Sequence, residues 1–68
     1  MGRELKRFDT AEEAIDFVVE NGKEIEDSVI NKNNDGYSRY YVEIIDGKIT
    51  DAWIETYSSY LSVISFLK

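Results

Sequence analysis

The chain of 68 residues contains no cysteine, no histidine and no proline. Without cysteine and histidine, it has no disulfide, no zinc site of the usual kind, no thiol nucleophile and no imidazole base. Proteins shorter than about 70–80 residues usually add a disulfide, a metal or a partner subunit to a thin core. An obligate dimer or a tightly bound partner is therefore expected, although some small domains fold without either.

Long apolar runs are also absent. The first ten residues, MGRELKRFDT, have no apolar run of the kind found in signal peptides. The longest apolar-rich stretch, YLSVISFLK, is too short to cross a membrane. No internal repeat or linker divides the chain, so we expect one soluble, cytoplasmic domain over residues 1–68.

Charge is abundant but unevenly distributed. The net charge is −6, and residues 9–27 hold eight acids against Lys23 alone, which gives this segment −7. The eight acids are Asp9, Glu12, Glu13, Asp16, Glu20, Glu24, Glu26 and Asp27. Such a chain repels phosphate backbones and is attracted to basic surfaces. Direct binding of nucleic acid is therefore not expected.

The segment DTAEEAIDFVVENG predicts a helix. Asp9 or Thr10 can cap its first turn, with Glu12 or Glu13 completing a capping box, and Asn21-Gly22 supplies a left-handed end. Apolar residues recur at helical spacing, at Ala11, Ala14, Ile15 and Val18. The acids form a second stripe that lacks basic partners at i+4, so their repulsion is unrelieved.

The remaining segments predict a small two-layer α+β domain, an antiparallel sheet with helix packed on one face, in the order β-α-β-β-β-α. RELKRF (3–8) is typical of an edge strand. Residues 25–32 predict a strand, NNDG a turn, and residues 37–45 and 48–57 a hairpin around Asp46-Gly47. The C-terminal residues 59–67 are ambiguous. The serine spacing favours a helix, whereas the β-branched and aromatic content favours a strand, and we expect a helix.

The register of the hairpin decides which side chains share a face. A two-residue turn pairing Ile45 with Lys48 would put Asp51 and Glu55 beside the core, which is costly. A turn with a glycine bulge shifts the pairing by one and is therefore preferred. The even-numbered residues then form a face without carboxylates: Ser38, Tyr40, Val42, Ile44, Thr50, Ala52, Ile54 and Thr56.

The odd-numbered face of the hairpin is unusually aromatic. It is expected to carry Tyr37, Tyr41, Trp53 and Tyr57, with Ile45 and Ile49, among the charges Arg39, Glu43, Asp51 and Glu55. These aromatic residues either cover the back of the sheet as cross-strand pairs or form a contact patch, because Tyr and Trp are enriched at binding hot spots. No second helix remains to cover this face, which favours contact.

Two groups of residues suggest a chemistry, and neither is expected to perform it. NKNNDGY (31–37) resembles part of a calcium loop, but Asn31 and Val42 occupy the positions that need a carboxylate and a bidentate Glu. A turn is the better interpretation. Glu43 and Asp51 could form an acid–base or magnesium pair, yet a solvated acidic surface explains them more simply. We therefore predict no catalytic residue, no metal, no cofactor and no enzymatic activity.

The first functional hypothesis is a small acidic protein that inhibits or modulates a partner with a basic, nucleic-acid-binding surface. The eight acids of residues 9–27 would imitate phosphate charge, and Trp53, Tyr41 and Tyr57 would anchor the contact. In size, acidity and lack of catalytic residues the chain resembles small phage-encoded inhibitors, including anti-CRISPR and other anti-defence proteins, and bacterial immunity proteins. That resemblance implies the host cytoplasm if the source is a phage.

Two alternatives remain open at this point. One is a binding module for a small ligand, such as a nucleotide sponge that stacks a base on the Trp53–Tyr41 surface. The other is a structural homo-oligomer, a possible homodimer, whose odd faces pair back to back and bury the aromatic residues.

Overall fold

The computed structural model describes residues 2–33, 38–57 and 61–68, without the side chains of residues 32, 33, 57 and 61. The elements are β1 (Arg3–Phe8), α1 (Ala11–Glu20), α2 (Asp27–Asn33), β2 (Ser38–Ile45), β3 (Lys48–Tyr57) and β4 (Leu61–Ser65). The four strands form one antiparallel sheet in the order β1-β2-β3-β4. This architecture confirms the predicted small α+β domain with helix packed against an antiparallel sheet. In the described ranges, no helix is long and apolar enough to span a bilayer.

Helix α1 begins and ends as its sequence predicts. The Thr10 hydroxyl oxygen accepts the N–H of Glu13 at 3.3 Å and donates to the Glu13 carboxylate at 2.9 Å. Gly22 follows the last turn with φ +81°, a left-handed conformation that glycine adopts without a steric penalty. Ala14 and Val18 are fully buried against the sheet, so the helix places its apolar stripe on the core.

The segment predicted as a strand over residues 25–32 is mostly helical, and that prediction was wrong. Ile25 alone retains strand character, as an antiparallel bridge to Leu67. From Asp27 the chain forms α2, which buries Ile30 and half-buries Val29. Apolar residues at i, i+4 and i+5 fit a helical face as well as a strand, and packing on the sheet selects the helix.

The C-terminal segment is a strand, which corrects the expected helix. Residues 61–65 form β4 beside β3. Phe66 continues the pairing by donating its N–H to the carbonyl of Ala52 at 2.9 Å, and its side chain is fully buried. A fourth strand satisfies backbone groups along the second side of β3, which a helix in this position would leave without strand partners.

The hairpin has the two-residue turn and, farther along its strands, a separate bulge. Asp46 and Gly47 have φ of +52° and +80°, and Ile45 pairs with Lys48 across a two-residue turn. The register then shifts between Glu43 and Ile44, so that Thr50 is the additional residue of a bulge. The register does shift by one residue as predicted, but the shift lies at Thr50 and the predicted position at the turn glycine was wrong.

The displaced bulge changes the faces of two residues. Ile49, expected on the odd face, is buried in the core, and Thr50, expected on the even face, is exposed. On the other side of the bulge from the turn, over residues 38–43 and 51–56, the predicted sharing of faces holds. The core consists of even-numbered hairpin residues and Ile49 on the sheet, covered by both helices and Phe66: Ala14, Val18, Ile30, Tyr40, Val42, Ile44, Ile49, Ala52, Ile54 and Phe66.

Candidate functional site

The two-layer architecture creates two opposite surfaces. We call the first the acidic surface; it comprises Asp9, Glu12, Glu13, Asp16, Glu20, Glu24, Glu26 and Asp27, all of which are exposed. It lies on α1 and on the segments that flank this helix. The second, which we call the open face, is the side of the sheet that carries the odd-numbered residues of β2 and points away from α1.

Helix α1 presents its acids away from the core. Ala14 and Val18 point into the sheet, and residues 12, 16 and 20 recur at i, i+4 and i+8, which places them along one line on the other side of the helix. Glu13 borders this line and is held by Thr10. Among the ion pairs of the described residues, only those of Asp9, to Arg7 at 3.9 Å and Arg39 at 4.0 Å, involve the acidic surface.

The open face takes residues from all four strands. The register puts Arg7 beside Tyr41, Tyr41 beside Trp53, and Trp53 beside Ser65 in one row across the sheet. A neighbouring row contains Leu5, Glu43 and Asp51, and the row on the other side contains Arg39, Glu55 and Val63. No helix lies over this face in the described part of the chain.

An aromatic pair occupies the centre of the open face. The rings of Tyr41 and Trp53 are stacked, with centroids 5.8 Å apart and planes inclined by 18°. The indole Nε1 of Trp53 donates to Oε2 of Glu55 at 2.9 Å. Both residues are half-buried. Tyr37 and the Tyr57 side chain lie outside the described residues, so their predicted places on this face are not tested.

Glu43 is held by partners within the sheet. Arg3 Nε donates to Glu43 Oε2 at 2.7 Å, and the Thr50 hydroxyl donates to Oε1 at 2.9 Å. The hydrogen bond from Arg3, followed by that from Thr50, lowers the pKa of Glu43 below its ordinary value of 4.5. Its carboxylate is therefore ionised and engaged, which is unsuitable for a general acid near neutral pH.

Asp51, the register partner of Glu43, is similarly engaged. Its Oδ1 accepts the Ser65 hydroxyl at 2.9 Å and the N–H of Ala52 at 2.8 Å. Within the described ranges, no cluster of three or more acidic side chains is arranged to hold a metal ion. Residues 34–37 of the NKNNDGY stretch lie outside those ranges, whereas residues 31–33 belong to α2.

The acids of α1 and the aromatic pair therefore lie on opposite sides of the sheet, whereas Asp9 lies at the edge of the open face through its ion pairs with Arg7 and Arg39. A partner that contacts both the α1 acids and the aromatic pair would have to reach around the edge of the sheet. Sequence reasoning also missed that Arg3 and Arg7 join the open face. The alternation in RELKRF carries that signal, but it shows neither which strand lies beside β1 nor which side of β1 faces the core.

With these arginines included, the open face holds as many basic as acidic side chains: Arg3, Arg7 and Arg39 against Glu43, Asp51 and Glu55. Its charge is therefore balanced, in contrast to the acidic surface. No protein-family model, curated protein or solved structure matches this chain. The geometry of the two surfaces is thus the basis on which a function can be assigned.

Proposed function

We propose that this chain is a non-enzymatic protein that binds a partner through that partner's basic, nucleic-acid-binding surface and so inhibits or modulates it. The observation that carries the proposal is the acidic surface. Its eight carboxylates are all exposed, and Lys23 is the only base within residues 9–27. Repulsion between these like charges destabilises the helix slightly. A binding role for the charge would explain why the chain keeps this cost.

The spacing of the acids suits imitation of a phosphate backbone. With a rise of about 1.5 Å per residue, Glu12, Asp16 and Glu20 follow one another at about 6 Å along the axis of α1. A groove lined with Lys and Arg would therefore meet a row of evenly spaced negative charges, as it does along a phosphate backbone.

This activity is typical of small anti-defence inhibitors, which phages encode and which act in the cytoplasm of the host. There the protein would compete with nucleic acid for one site instead of binding nucleic acid itself. The long-range field of the acidic surface would raise the rate of encounter with a basic partner. The capture experiment described next would identify the partner.

The proposal is tested by capture and competition. The tagged chain is immobilised and exposed to lysate from its native source, and bound proteins are eluted with a short DNA or RNA duplex. The expected result is a partner that also binds nucleic acid and is released by the duplex. The matched control is a chain with Glu13, Asp16 and Glu20 replaced by Lys, which keeps the apolar stripe of α1 and should capture nothing specific.

Two results would contradict the proposal. One is capture of the same partner by the charge-reversed chain, which would show that the acidic surface is only a solvated side of the helix. The other is a partner that the duplex does not displace, which would place the contact away from the nucleic-acid site.

A second candidate function is binding of a small nucleotide-like ligand on the open face. The observation that favours it is Arg7, which is the register neighbour of Tyr41 and supplies a cation beside the aromatic pair. Bases stack on aromatic rings, and Arg binds phosphate oxygens. Quenching of Trp53 fluorescence by nucleoside monophosphates, weakened in Arg7→Gln, would support this function. Equal quenching by nucleosides without phosphate would remove the role of Arg7.

A further inference from the structure

The two edges of the sheet differ in charge. Edge strand β1, RELKRF, carries Arg3, Glu4, Lys6 and Arg7, whereas edge strand β4, LSVIS, carries no charged residue. Charged side chains on an edge oppose pairing with another strand, and an uncharged β-branched edge favours it. Only β1 is protected in this way.

The backbone of β4 offers hydrogen-bonding groups to a further strand. Phe66 donates its N–H to the Ala52 carbonyl, so the N–H of residue 66 faces β3. Hydrogen-bonded pairs alternate along an antiparallel ladder, and the pairing of Ile64 with Ile54 continues that series. The N–H and C=O groups of residues 61, 63 and 65 consequently point away from β3.

This outer edge is covered at one end only. Glu26 donates its N–H to the Phe66 carbonyl at 2.7 Å, and Lys68 donates to the Glu24 carbonyl at 3.0 Å, so residues 24–26 pair with residues 66–68. Within the described ranges, no strand lies beyond Leu61–Ser65. The side chains of Val63 and Ile64 are 56% and 38% exposed.

We propose that β4 pairs antiparallel with β4 of a second copy of this chain, forming a symmetric dimer with one continuous sheet. A two-fold axis through Val63 places this residue opposite its own copy and Leu61 opposite Ser65 of the second copy. Every outward-facing residue then meets an outward-facing residue, as a hydrogen-bonded antiparallel pair requires. The strand is self-complementary in this register, so the second copy itself supplies the matching edge.

The dimer has consequences for both surfaces. The two open faces become neighbours on one side of the sheet, and the two acidic surfaces become neighbours on the other. This arrangement differs from back-to-back pairing of the odd faces, because the Tyr41–Trp53 pair remains accessible. It does not depend on the proposed function, since a monomer could also bind a basic partner and a dimer could lack one.

Sedimentation equilibrium with matched variants tests the proposal. At about 100 μM, where mass action favours association, the wild-type chain should have twice the mass of 7.9 kDa. Val63→Lys places like charges directly opposite each other and should abolish the dimer. The control, Leu5→Lys, changes a residue on β1 that is 46% exposed and should leave the dimer intact.

A second pair of variants tests the backbone contact. Val63→Pro removes an outward-facing N–H, and proline is tolerated at such positions of edge strands. In β1 the Asp46 N–H donates to the Gly2 carbonyl, so by the same alternation the Leu5 N–H also faces outward, and Leu5→Pro is the matched change. Only Val63→Pro should abolish the dimer, with circular dichroism confirming that both chains fold.

Hydrogen exchange provides a readout that needs no substitution. The Val63 and Ser65 amides should be protected more strongly as the protein concentration rises, whereas the Leu5 and Arg7 amides should not change. A wild-type chain that remains at 7.9 kDa overturns the proposal. So does loss of the dimer in Leu5→Lys to the same extent as in Val63→Lys, because this result would place the interface on the open face.

Discussion

Arg3 and Glu43 connect the edge strand β1 to β2 through a bond of 2.7 Å between Nε and Oε2. Because this bond is the largest cause of the lowered pKa of Glu43, Arg3→Gln should raise that pKa towards its ordinary value. A carbon-13 NMR titration of the Glu43 carboxyl group measures the shift. Arg7→Gln, on the same strand and face, is the control and should leave the Glu43 pKa unchanged.

The same interaction predicts a dependence of stability on pH. The pKa of Glu43 is lower in the folded than in the unfolded chain, so its stabilising contribution is present above pH 4.5 and is lost as the pH falls through the folded pKa. Wild type and Arg3→Gln should therefore differ in melting temperature at neutral pH and converge in acid. A constant difference at all pH values would contradict this account.

The bulge at Thr50 predicts that one residue of β3 can be deleted. Without Thr50, Ile49 still pairs with Ile44 and Asp51 with Glu43, so no core residue changes face. The expected cost is about 1 kcal/mol, mainly the hydrogen bond from the Thr50 hydroxyl to Glu43. Deleting Ala52 instead shifts the alternation beyond the gap and should unfold the chain. Urea denaturation of both deletions measures the difference.

Phe66 and Trp53 should respond differently to truncation. Phe66 is fully buried, and Phe66→Ala should cost about 3–5 kcal/mol, comparable with the whole stability of a small domain. Trp53 lies on the open face, so Trp53→Ala should lose the Tyr41 stack and cost about 1–2 kcal/mol. Thermal unfolding followed by circular dichroism compares them. Complete unfolding of Trp53→Ala would identify this residue as part of the core.

Association with the captured partner should depend strongly on salt. Raising the salt from about 0.1 M to about 1 M shortens the screening length from about 10 Å to about 3 Å. The association rate should fall, and reversal of Glu13, Asp16 and Glu20 to Lys should slow it by about one to three decades. Stopped-flow kinetics measures both effects. A dissociation rate that changes instead would indicate contacts other than electrostatic steering.

Calcium and magnesium should leave the chain unaffected. A calcium loop needs a carboxylate at the positions of Asn31 and Val42, and neither residue has one. Asn31 also lies in α2, and Val42 is fully buried in β2. Calorimetry with either ion at millimolar concentration should show no specific heat. A micromolar dissociation constant would refute the expectation that residues 31–42 form no calcium loop.

Local signals in the sequence predicted the elements whose stabilising contacts are themselves local. Thr10 and Glu13 lie three residues apart and cap α1 without help from the rest of the chain. Asp46-Gly47 forms its turn because both residues adopt positive φ. The alternation around Tyr40, Val42 and Ile44 in β2 likewise predicts its buried face, because side chains of a strand point alternately to its two sides.

Contacts between distant residues decided the rest. The serine spacing of the C-terminal segment permits a helix, but the Phe66 N–H finds the Ala52 carbonyl fourteen residues earlier in the sequence, and this pairing selects the strand. Likewise, Ile25, Val29 and Ile30 fit either periodicity, and contact with the sheet selects α2. No local pattern encodes these outcomes, because short segments differ little in intrinsic preference and gain most of their stability from packing.

Sequence alone therefore determined the net charge, the acidic stripe of α1, the hairpin and the small α+β class. Only the tertiary structure decided that the acids of α1 and the aromatic pair lie on opposite sides, that the bulge falls at Thr50, and that β4 is the uncharged edge. The physical reason is that charge and periodicity belong to the chain, whereas strand order and the sharing of a face arise from pairings between segments far apart in it.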